Sequence, residues 1–84
     1  MDLKYLPNIG PVLAANLQKI GIENAETLRT VGPEEAWLRI RLEVDAGACL
    51  HQLQALAGAV EGLPKKELTP ERKAELKQFF ETHK

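Results

Sequence analysis

The sequence predicts an all-α fold of about five helices, with a helix-hairpin-helix-like core in a single compact domain spanning residues 1–84. Three observations carry that expectation. Apolar residues recur at helical spacing and almost nowhere alternate with polar ones. Helix start and stop signals follow one another along the whole chain. A turn-and-helix pattern occurs twice: Leu6-Pro7-Asn8-Ile9-Gly10-Pro11-Val12-Leu13-Ala14 and, degraded, Leu28-Arg29-Thr30-Val31-Gly32-Pro33-Glu34-Glu35-Ala36. In each copy Gly permits a turn that other residues resist, and Pro suits the first helical position, where a missing N–H costs nothing.

Residues 1–6 admit one turn of helix. The first full helix is expected from Pro11 to about Ile20, with Leu13, Leu17 and Ile20 on one face. Gly21 offers a left-handed stop onto which Ile22 folds back. Asn24 should cap a short second helix that closes near Val31, with Leu28 and Val31 inward. The third begins at Pro33. Glu34 and Glu35 favour the positive end of its dipole, Ala36, Trp37 and Ile40 face inward, and Glu35 pairs with Arg39 one turn on. Asp45 reads as the N-cap of a fourth helix from about Ala46 to Glu61. Its stripe is Cys49, Leu53, Leu56 and Val60, widened by Leu50 and Ala57. Gly62 and Pro64 end it. After a turn over Lys65–Leu68, the run Thr69-Pro70-Glu71 starts a fifth helix reaching about Thr82, with Leu76, Phe79 and Phe80 as its apolar residues.

Composition narrows the function. The chain has 84 residues, 44% apolar and 27% charged, with a net charge of −1. That balance disfavours a strongly electrostatic DNA binder, for which a clearly basic domain is expected. The one cysteine, Cys49, rules out an internal disulfide and fits a reducing compartment. With no signal-like start and no apolar run of membrane-spanning length, a cytoplasmic location and no membrane partner are expected.

No catalytic constellation can be assembled. There is no serine, and the only aspartates are Asp2 and Asp45. Cys49 and His51, two apart on the expected fourth helix, diverge by about 200° and cannot share a metal or act as a nucleophile–base pair. Zinc needs three or four ligands. The expectation is therefore no enzyme, no cofactor and no metal, with Cys49 a small core residue.

Two kinds of partner remain. In a helix-hairpin-helix the turn N–H groups bind a phosphate oxygen, because a helix start has unpaired donors and a partial positive charge. Here Asn8, Ile9 and Gly10, assisted by Lys4, Lys65 and Lys66, form the candidate DNA-backbone contact. The other reading is a turn that only sets the angle between packed helices. In the second copy Glu34 and Glu35 occupy the helix start and would repel a phosphate. Lys65, Lys66, Arg72, Lys73 and Lys77 alternate with Glu67, Glu71 and Glu75, the pattern of a solvated helix face; a phosphate-facing ridge of Lys65, Lys66 and Lys73 is the alternative. Trp37, Leu38, Arg41 and Leu42 form the candidate protein-partner interface, because the third helix carries more apolar surface than one inward face requires.

The chain resembles the C-terminal domain of the TfoX/Sxy proteins. The resemblance rests on Leu6-Pro-Asn-Ile-Gly-Pro, Leu17, Gly21-Ile22, Leu28, Val31-Gly32 and Glu34-Glu35-Ala36-Trp37-Leu38-Arg39. It continues through Gly47-Ala48-Cys49-Leu50-His51, Leu53, Ala55-Leu56, Gly58-Ala59, Gly62 and Leu68–Lys77. It implies a bacterial regulator linked to natural competence, the uptake of DNA, assisting transcription alongside a dedicated DNA-binding activator. In full-length members this domain follows an N-terminal domain of different fold. A stand-alone relative and a fragment are both consistent with these residues. The expectation is a non-catalytic regulatory module with a protein partner, DNA-backbone binding as the alternative, and a monomer or weak homodimer.

Overall fold

A computed structural model describes all residues, Met1–Lys84, and bears out the all-α expectation. A 3-10 turn over Leu3–Tyr5 leads into α1 (Pro11–Lys19), α2 (Ala25–Val31), α3 (Pro33–Glu43) and α4 (Leu50–Glu61). A second 3-10 turn, Lys65–Glu67, precedes α5 (Pro70–His83).

Most boundaries follow from their local chemistry. Ile22 folds back so that its N–H reaches the Leu17 carbonyl at 2.9 Å, and Gly21 takes the left-handed turn at φ 85°. The Asn24 side chain accepts from the Thr27 N–H at 2.8 Å. Thr69 does the same for Arg72 at 3.1 Å. Gly62, at φ 75°, closes α4 while the Leu63 N–H returns to the Gly58 carbonyl at 2.8 Å.

The start of α4 departs from expectation. The helix begins at Leu50, with Cys49 in the N-cap place, and Asp45 does not cap it. The Asp45 carboxylate instead accepts from the Gly47 N–H at 2.9 Å, closing a turn over residues 45–48. Beyond it the Trp37 indole N–H donates to the Cys49 carbonyl at 3.1 Å, which holds Cys49 extended. Cys49 is therefore exposed, and Ala48 takes the buried place expected of it.

The role of α4 is also larger than a single stripe allows. Leu53, Ala55, Leu56, Ala57, Gly58 and Ala59 are all buried, so the helix is enclosed on nearly every side and forms the centre of the domain. Small residues let its neighbours approach. α3 makes the most extensive helix contact with it, and Ala36, Trp37 and Ile40 of α3 are buried in the core. Phe79 and Phe80 of α5 pack around the Trp37 ring at centroid distances of 6.0 and 5.6 Å.

The two repeat copies build different elbows. Glycine supplies the left-handed residue only in the second, where Gly32 has φ 87°. Gly10 sits at an ordinary φ of −90°, and the left-handed residue of the first elbow is Asn8, at φ 69°. Asparagine enters that region more readily than most residues. The first elbow also joins a 3-10 turn to α1, whereas the second joins α2 to α3.

Asn8 gains a tertiary partner there. Its amide donates to the Leu63 carbonyl at 2.9 Å and the Ala55 carbonyl at 3.3 Å, and its side-chain oxygen accepts from the Lys65 N–H at 3.1 Å. Gly58 makes room: a Cβ on it would lie 2.5 Å from the Asn8 amide nitrogen and 2.7 Å from the Leu63 carbonyl oxygen.

Two tests follow from this clamp. Gly58→Ala should gain about 1 kcal/mol of helix propensity but lose about 1–3 kcal/mol to overpacking and more to the broken clamp. A net lowering of the thermal midpoint by roughly 10 °C is expected in a melt followed by circular dichroism. Asn8→Gly should be less damaging than Asn8→Ala by about 1 kcal/mol, since both lose the side chain but only alanine strains the left-handed backbone. Denaturant titrations giving the opposite order would refute this account of the elbow.

Candidate functional site

The first elbow is where the sequence pointed to phosphate. Its backbone does leave donors free: the Ile9 and Gly10 N–H groups have no partner within the chain, and Pro11 opens α1 without one. The Ile9 side chain is buried at the elbow's inner side. The Asn8 side chain is spent internally, with all three of its hydrogen bonds made to the α4 end of the domain, so it is a clamp and offers a ligand nothing. The Lys65 N–H bond to Asn8 brings the exposed Lys65-Lys66 segment beside the elbow. Lys4, one 3-10 turn before it, is exposed with its ammonium 5.3 Å from the Tyr5 ring centre.

The second elbow is neutralised from across the fold. Glu34, at the start of α3, receives both arms of the Arg72 guanidinium at 2.8 and 3.1 Å. Arg72 also lies 3.4 Å from Glu75 on its own helix and 3.7 Å from Glu61 on α4. One cation thus meets carboxylates from three helices. Alternating charge along α5 was expected to mean a solvated face; for Arg72 that is overturned, because it is turned toward α3 and only a quarter exposed. Lys73 is drawn back to the Lys66 carbonyl at 3.2 Å. The Glu35–Arg39 pair forms as expected, at 2.8 Å.

The residues expected at a protein interface divide. Trp37 is completely buried and cannot touch a partner; its indole is needed to seat α5 on α3 and to hold Cys49. Leu38 and Arg41 are half-buried, and Leu42 is 71% exposed, so positions 38, 41 and 42 share one edge at the C-terminal half of α3. Two further apolar side chains lie in solvent on either side of the first elbow: Tyr5, at 68% exposure, and Val12, at 75%. Sequence reasoning missed both, since each reads as an ordinary helix residue.

No group of three or more His, Cys, Asp or Glu side chains could hold a metal ion. Cys49 and His51 are both exposed. The one surface depression is open and lies along α5 between Ala74, Lys77, Gln78, Glu81 and Thr82. No helix is long and apolar enough to cross a membrane.

The fold defined here is a small helical module, built around one enclosed helix and closed by a polar clamp at the first elbow and an ionic one at the second. The TfoX C-terminal domain model matches residues 1–80, and the chain belongs to that family. Two crystal structures from Listeria monocytogenes share the fold. One, an uncharacterized protein in a triclinic form, is 44% identical over 98% of this chain and 92% of its own, with a TM-score of 0.94. The other, a protein of unknown function in a tetragonal form, is 43% identical over 99% of this chain and 100% of its own, with a TM-score of 0.95. No curated protein matches the sequence significantly.

The ionic clamp gives a pH test. The Arg72 guanidinium hydrogen-bonded to Glu34 holds that carboxyl below its ordinary range. A carboxyl lowered on folding stabilises the native state while ionised. Its contribution is complete above about pH 5 and fades as pH falls through the lower, folded value. Glu34→Gln should therefore cost about 1 kcal/mol at pH 7, a figure kept low because the pair is partly solvated. The gap from the parent protein should close toward pH 3. Urea titrations at the two pH values giving an equal gap would show that the charge of Glu34 contributes nothing.

Proposed function

We propose that the chain is a non-catalytic interaction module that acts through contacts with another protein in transcriptional regulation, the role implied by its resemblance to the TfoX/Sxy competence regulators. The supporting observation is the outer edge of α3, where Leu42 stands in solvent beside Leu38 and Arg41 while the opposite face of the same helix is fully buried. Exposed leucine beside arginine at a surface suits a protein partner, with arginine able to anchor a carboxylate. The net charge of −1 agrees with a partner other than nucleic acid. Such a module works in the cytoplasm, where Cys49 stays a free thiol.

A second reading is sequence-independent binding of a DNA backbone at the first elbow. It is favoured by the free Ile9 and Gly10 donors and by the Lys65-Lys66 segment held beside them. Arg72 adds nothing to it, because its charge is met by three carboxylates.

Two measurements decide between these readings. On immobilised protein in a bacterial extract, Leu42→Asp should reduce capture of the specific partner at least tenfold while leaving the melting curve nearly unchanged, since exposed substitutions rarely exceed about 0.5 kcal/mol. Equal capture by both forms counts against the α3 edge. Duplex DNA titrated at about 50 mM salt and 100 µM protein should show no binding. Binding that weakens steeply with salt and is lost in Lys65→Glu/Lys66→Glu would replace the first reading with the second.

A further inference from the structure

We draw no further inference here: the strongest candidate, the solvent-facing surface of Lys4, Tyr5, Lys65 and Lys66 around the free Ile9 and Gly10 N–H groups of the first elbow, belongs to the site already described and rests on one helix start flanked by surface lysines.

Discussion

The domain hangs on a contact between an asparagine and a glycine. Asn8 and Gly58 lie fifty residues apart in a chain whose other capping interactions are local. Asn8 enters the left-handed region, turns its amide inward and satisfies carbonyls at both Ala55 and Leu63 while taking the Lys65 N–H. Ala55 lies inside α4, while Leu63 and Lys65 lie just past its end, so one side chain ties the helix to the segment that leaves it. Leaving these part-buried backbone groups without Asn8 would cost about 1–3 kcal/mol. Gly58 is the other half of the arrangement. Its missing Cβ is the space that the Asn8 amide and the returning Leu63 carbonyl occupy. Once the first elbow is pinned there, α1 is oriented, and the segment leading to α5 leaves α4 in one direction.

The second elbow is held by a different force. Glu34 stands where unpaired N–H groups already favour an anion, and Arg72 adds a bidentate partner from the far end of the chain. The same Gly-Pro pair thus opens two helices in two settings. One start is left with free donors and uncharged residues. The other carries its own carboxylate and a guanidinium on top of it. Repetition in the chain has been retained for the turn into a helix, while the electrostatics of the two copies have diverged.

Burial of Trp37 links these features to function. The largest side chain of the domain is committed to seating α5 and to holding the chain at Cys49, so what α3 leaves at the surface is the Leu38, Arg41 and Leu42 edge, on which the proposed function rests. The crystal neighbours at more than 40% identity carry the same architecture in chains of nearly this length.

How much of this was legible in the chain follows from how local each decision is. Asn24, Gly21, Gly62, Thr69 and the proline starts act on atoms within a few residues, so the order and type of the helices could be read directly. The inward faces of α1 and α3 were equally readable, because helical spacing alone puts Leu13 with Leu17, and Ala36 with Trp37 and Ile40. Asp45 misled because aspartate caps helices and closes tight turns with the same oxygen, and a distant indole decided between them. Asn8 looked like part of a phosphate-binding turn because its partners come from Ala55, Leu63 and Lys65, which no local rule connects to it. Arg72 looked solvated because alternation of charge says nothing about a carboxylate on another helix. Interactions that close within a turn of helix are written in the order of residues; those that close across the core exist only after the helices have packed.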